Sequence, residues 1–292
     1  MFSGIAVKCT VLCLSLTLCA VAQERRTDPT FLHRFVPDLE AKESDLSTST
    51  CHYKPIFGEG SPDASALRGI ARFGELTVDP AGTSARVSYP AEEQVYVVRQ
   101  GKCVLHYGTE EITLRKNDFM YLPPGIGHGI GNPSDEPCGV IVMGFRIPKG
   151  VEATPPAHVL LANIDHVQKE VVSGHPPSTL YQLLMGDVRS KRDKLAAGRV
   201  LTSLFIMEFA PGGTNIPHHH EREEEIYLVL NGHGEMVAGS GTDGIEGRFP
   251  ARAGDAYFFR LNCTVGFYAG NTPDEEKTHI LAVRSLFPFA GR

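Results

Sequence analysis

The sequence predicts an all-β chain made of two tandem copies of one β-rich unit. Three observations carry this. Short apolar runs alternate with turn residues from Cys51 onward, 30 Gly and 20 Pro supply the turns, and helical periodicity is scarce. The chain repeats itself at a fixed offset. One stretch of the second copy, GGTNIPHHHEREEEIYLVLNG over 212–232, gathers metal-ligand residue types between a turn and a strand. With 292 residues and 42% hydrophobic content, the chain is long enough for two ordinary domains with their own cores.

The N-terminus reads as a leader. Lys8 precedes the apolar run Val11 to Ala20, and Ala20-Val21-Ala22 supplies a small-residue cleavage signal before Gln23-Glu24-Arg25-Arg26. Residues 1–22 are therefore expected to be a signal peptide cut after Ala22, giving a secreted or periplasmic protein. Its removal takes Lys8 and no acid, so the net charge moves from −6 to −6 − 1 = −7. That balance offers no basic footprint for nucleic acid, and the absence of Trp removes one stacking platform. No later apolar run is long enough for a membrane span.

Residues 23–50 are polar, with a Ser/Thr cluster over Ser44–Thr50, and are expected as a loosely held N-terminal arm. From Asp79 to Thr83 the chain falls on Ala210 to Thr214, an offset of 210 − 79 = 131. At the same offset Ala91-Glu92-Glu93-Gln94-Val95-Tyr96 falls on Arg222-Glu223-Glu224-Glu225-Ile226-Tyr227, and Gly101 falls on Gly232. After an insertion near Gly239–Gly244, Asn117-Asp118-Phe119 faces Gly254-Asp255-Ala256, and Asn132–Glu136 faces Asn271–Glu275. The units are placed at 51–147 and 178–292, joined by a connector over 148–177. Cys51, Cys103, Cys138 and Cys263 remain after the leader, and four cysteines allow three full pairings. Cys103 and Cys138 lie on strand-like runs of one unit and are one candidate pair.

In an extended chain, residues i and i+2 share a face. His218 and His220 then point the same way and His219 away. Glu225, on the strand that follows, completes two imidazoles and a carboxylate, a clamp that leaves coordination positions open. The spacing Gly212, five residues, His218-x-His220, four residues, Glu225, six residues, Gly232 resembles the first motif of the cupin superfamily. The resemblance covers nearly all of the chain after the leader, as a bicupin. It implies two tandem jelly-roll (double-stranded β-helix) barrels, the C-terminal one metal-binding, with a divalent ion (iron, manganese, zinc or nickel) held by His218, His220 and Glu225.

The family's second motif stands in the first unit as Pro123-Pro124-Gly125-Ile126-Gly127-His128, with His128 at the last ligand position. There, however, Val87, Tyr89 and Gln94 face the ligand trio, so the first barrel is expected to be metal-free. The second unit departs in the opposite sense, with Arg260-Leu261-Asn262-Cys263-Thr264-Val265 at that motif, and either Val265 or Phe267 faces His128. The site is then an open triad, or is completed by Cys263, Asn262 or Tyr257, or is weakened; the triad is the favoured reading. Glu221, Glu223 and Glu224 are expected as a solvated turn, and His219 and His233 as exposed. Glu208 is expected on the rim or in a structural role. Tyr227 shares the inward face of Glu225 and serves equally as a core or a hydrogen-bonding residue.

For function, the resemblance implies a metal-dependent enzyme acting on a small oxygen-rich molecule, of the dioxygenase or oxidoreductase kind. Aminohydrolase or isomerase chemistry is an alternative. A non-catalytic binder of small molecules or metal is another, and a homodimer is plausible for such barrels. No Gly-x-Ser-x-Gly or phosphate loop points elsewhere.

Overall fold

A computed structural model describes residues 30–151, 156, 158–240, 246–271 and 277–288, together with Met1. The leader expected over 1–22 lies, Met1 apart, outside the described residues. Those residues form strands and turns with three short 3-10 turns, and no α-helix occurs among them.

Each unit is a large sheet facing a small one. In the first, the large sheet runs Leu160–Asn163, Asp118–Leu122, Glu92–Gln100, Cys138–Arg146, Ile70–Val78, Cys51–Gly58. Its small sheet is Glu110–Arg115, Lys102–Tyr107, His128–Gly131. In the second, Asp255–Phe259, Glu223–Asn231, Thr278–Leu286, Leu201–Phe209 and Thr179–Asp187 lie side by side in the large sheet. The small sheet opposite is His218–His219, Thr264–Ala269, His233–Gly239, Glu246–Arg252.

Apolar side chains gather in three cores, one inside each barrel and one between the two large sheets. Strand alternation assigns each residue. On Glu92–Gln100, Tyr96 and Val98 fill the first barrel while Val95 and Val97 face the second. On Glu223–Asn231, Tyr227 and Val229 fill the second barrel while Ile226 and Leu228 face the first. These strands are apolar at every central position because both of their faces are covered. Each such side chain contributes roughly 1.5–3 kcal/mol through burial, so the layer between the barrels helps hold them together.

The arm departs from expectation. Phe31–Phe35 forms a strand paired antiparallel with Asp255–Phe259 of the second barrel. Reciprocally, Leu160–Asn163, from the expected connector, pairs with Asp118–Leu122 of the first. Both cover a sheet edge whose N–H and C=O groups would otherwise lack partners. Leu32 and Val36 join the core between the sheets; the polar composition of 23–50 hid this short apolar segment. Cys103 and Cys138 are joined by a disulfide, with Cα atoms 6.0 Å apart, and Cys51 and Cys263 are buried.

Candidate metal centre

The loop after Leu201–Phe209 delivers the two imidazoles. His218 sits opposite Val265 on the strand Thr264–Ala269, and His219, between the two ligands, is exposed. Glu225 is buried on the central strand Glu223–Asn231, opposite Phe259 on one side and Arg284 on the other. One ligand atom from each of His218, His220 and Glu225 lies within 4.8 Å of the others, so the structure brings the three expected residues together.

Protonation is set by the surroundings. His218 Nδ1 donates to the Ile216 carbonyl at 2.8 Å, which leaves Nε2 with its lone pair. Ile216 adopts φ +56°, a backbone conformation that a β-branched residue rarely takes. Burial lowers the His218 pKa and keeps the ring neutral. Burial pushes Glu225 toward protonation, but His220, Arg284 and His218 outweigh it and hold its pKa below the ordinary value. Neutral imidazoles with an ionised carboxylate are the forms a divalent ion requires.

His220 Nε2 and Glu225 Oε2 lie 3.2 Å apart, both buried, and neither completes a hydrogen bond. Arg284 Nε and the Tyr181 hydroxyl are also buried without one, and all four residues line the same cavity of about 110 Å³. Native interiors rarely leave polar atoms unpaired. Four around one cavity fit a bound ion and its ligand, and the residues present therefore suit a metal.

Three further residues at this cavity escaped the sequence reading. His175, from the expected connector, donates from Nδ1 to the Asn215 carbonyl at 2.6 Å and sets its ring 5.4 Å from that of His218. Arg284 enters from Thr278–Leu286 and Arg192 from the loop after Thr179–Asp187. None of Cys263, Asn262 and Tyr257, considered as a substitute ligand, lines the cavity. Cys263 and Tyr257 are buried in the barrel core, and Asn262 turns with φ +59°.

The residue facing His128 is Val265. Val87 bridges His128 in the first barrel, as His218 pairs with Val265 in the second. Phe267 instead matches Ile130, since their N–H groups donate to Asn215 and Ser84, themselves 131 apart.

In the first barrel, Val87, Tyr89 and Gln94 stand at the ligand positions, and a guanidinium fills the mouth. Arg72 is buried and donates to Asp45 at 3.0 Å, Glu59 at 2.7 Å and the Tyr89 hydroxyl at 2.9 Å. His128 donates from Nδ1 to the Ile126 carbonyl, and burial lowers its pKa to about 4. Its Nε2, Gln94 Oε1 and the Tyr96 hydroxyl have no hydrogen bond, but among the described residues no group of three converging metal-ligand atoms includes His128.

The acidic run behaves in three ways. Glu221 is exposed, as expected of a solvated turn. Glu223 is half-buried and faces the site, 3.6 Å from His220 Nδ1 and 3.5 Å from Arg284. Glu224 is fully buried, because it shares the face of Ile226 and Leu228 and points at the first barrel. Glu208 is structural. Burial opposes its charge, but hydrogen bonds from Lys169, Lys277 and His279 hold its pKa down to about 2. Tyr227 both fills the core and accepts from Asn215 Nδ2 at 3.0 Å. His233 is exposed.

Two tandem β-barrels, one with a metal-ligand trio in its mouth, define the class of the bicupins. The chain belongs to the cupin family: the cupin domain matches residues 74–144 and 205–284. A search of curated protein sequences finds no match. Among solved structures, the chain is similar to a putative glyoxylate-induced protein from Pseudomonas aeruginosa, with TM-score 0.69 and 16% identity over 90% of this chain and 91% of that one. It is similar to Ylba from E. coli, with TM-score 0.64 and 16% identity over 88% and 92%. A Bacillus subtilis oxalate decarboxylase gives TM-score 0.61 and 12% identity over 88% and 78%. At such identities the likeness is one of fold.

Proposed function

We propose that the protein is a metal-dependent enzyme acting on a small oxygen-rich molecule, with one divalent ion held by His218, His220 and Glu225. The observation that carries this is the convergence of three ligand atoms within 4.8 Å, two of them buried without hydrogen bonds. The manganese centres named for the Bacillus subtilis decarboxylase support a divalent ion in this fold. A bound ion of this kind supplies Lewis-acid polarisation or, as iron or manganese, oxygen activation. The residues around it do the rest. His218 presents a neutral ring, and the apolar walls Leu183 and Phe205 limit water. The first barrel is the scaffold and holds no ion, since Arg72 occupies its mouth.

Turnover of phenolic, dicarbonyl, ureide and carboxylate substrates by metal-loaded protein, compared with Glu225→Gln, tests this reading. Loss of turnover in the variant supports it. Metal retained with no turnover across the panel favours the second reading, a non-catalytic binder, for which Val265 in place of a fourth ligand speaks. Export is part of the proposal. The apolar run before Ala22 supports it, and the Cys103–Cys138 disulfide is of a kind that persists in oxidising compartments.

A further inference from the structure

The loop over 188–194, between Thr179–Asp187 and Leu195–Gly198, reads Val-Arg-Ser-Lys-Arg-Asp-Lys. It carries four cations and one acid, 4 − 1 = +3, in a chain whose net charge is −6. The equivalent stretch of the first barrel, 131 residues earlier at 57–63, reads Phe-Gly-Glu-Gly-Ser-Pro-Asp, 0 − 2 = −2. There the acid Glu59 neutralises the buried Arg72. In the second barrel the loop does the reverse and adds a guanidinium, that of Arg192, to the cavity that Arg284 already lines.

Arg192 is held in place. Its Nε meets Asp193 Oδ2 at 3.2 Å, and its Nη2 donates to Ser203 Oγ at 3.2 Å. The Asp193 side chain is 1% exposed, and the Ser190 hydroxyl donates to it. Gly186 makes the space, since a Cβ there would lie 2.3 Å from Asp193 Oδ2. Ser203 is the cross-strand neighbour of Arg284, so the two guanidiniums share one end of the cavity. Arg284 keeps Nε buried without a hydrogen bond. Counting Arg192, Arg284, Glu223, Glu225, Asp193 and a divalent ion, the site sums to +1 + 1 − 1 − 1 − 1 + 2 = +1.

We propose that the ligand of this cavity is a small carboxylate, bound as its anion between Arg192 and Arg284, with Arg192 as the residue that selects for the charge. A guanidinium presents paired donors that match a carboxylate and cannot be matched by a neutral amide. A cavity of about 110 Å³ suits a small ligand. The cations of the loop raise the local concentration of anions at the mouth. The proposal names the substrate class of the metal site and rests on that reading for the ion's share of the charge; the contact with Arg192 does not depend on it.

Binding of formate, acetate, lactate, oxalate and malonate, with lactamide as the uncharged match to lactate, is measured by calorimetry on metal-loaded protein. Metal content is determined on the same samples. Wild type should bind at least one carboxylate and discriminate lactate from lactamide if lactate fits. Arg192→Gln should weaken carboxylate binding roughly 10- to 100-fold at unchanged metal content, with Arg192→Lys intermediate. Binding should also weaken with added salt. The proposal is overturned if lactamide binds as tightly as lactate, if Arg192→Gln retains full affinity, or if no carboxylate binds below about 10 mM. Carboxylate binding that depends on Arg192 in a protein that takes up no metal would sustain this inference and remove the metal reading.

Discussion

Glu93 and Glu224 stand 224 − 93 = 131 residues apart and make the same contact in opposite directions. Glu224, on the second barrel, accepts the backbone N–H groups of Arg68, Gly69 and Ile70 at 2.8, 2.7 and 3.2 Å. Glu93, on the first, accepts those of Arg199, Val200 and Leu201 at 2.8, 2.9 and 2.7 Å, and the Tyr121 hydroxyl at 2.8 Å. The donor loops are themselves related by the repeat offset. The two barrels therefore face each other across an approximate twofold axis, as subunits of a symmetric dimer do.

Removing either carboxylate strands buried backbone donors at the junction. Glu224→Ala and Glu93→Ala should each cost about 3–5 kcal/mol. Urea unfolding followed by fluorescence and circular dichroism checks this. A loss under ~0.5 kcal/mol in both variants would show that the contacts contribute little to the junction.

Restoring the absent imidazole should strengthen the metal site. Val265 is 1% exposed and opposite His218, where the first barrel has His128 opposite Val87. Val265→His should raise metal affinity about tenfold or more, at a packing cost of roughly 1–3 kcal/mol. Competition with a chromogenic chelator reads the affinity. An unchanged or weaker constant in a folded variant would show that this position does not reach the ion.

Acid lability should trace in part to Glu208, whose folded pKa of about 2 lies below the ordinary 4.5. A carboxylate held down on folding contributes stability that is present above its unfolded pKa. That contribution is lost as pH falls from about 4.5 toward about 2. Glu208→Gln should cost about 1–3 kcal/mol at pH 7 and flatten the stability curve over that acid window. Identical slopes for wild type and variant would contradict the assignment.

The disulfide closes a sequence separation of 35 within the first barrel. Its removal by Cys103→Ser with Cys138→Ser should lower stability by roughly 3–4 kcal/mol and leave metal content unchanged, because the ion is assigned to the other barrel. Loss of metal in a folded double variant would argue against that separation.

The sequence made the architecture legible because duplication preserves spacing, and it made the trio legible because a two-residue period fixes which imidazoles share a face. It misled where one segment meets a distant one. Composition marked 23–50 as polar, yet the short run Phe31–Phe35 finds an edge strand more than two hundred residues away. The acidic run suggested a solvated turn, although the alternation that places Glu225 inside the barrel also aims Glu224 at the other unit. His175 and Arg192 carried no motif. They reach the cavity from a connector and from a loop, and only the pairing of distant strands brings them there.

The proposed metal site gives one ion to three side chains of the second barrel and none to the first barrel. Metal stoichiometry, measured by elemental analysis on protein purified without an affinity tag, tests it most directly. About one divalent ion per chain is expected, lost in His218→Ala with His220→Ala and kept in His128→Ala. Undiminished metal in the double variant, or loss of metal in His128→Ala alone, would contradict it.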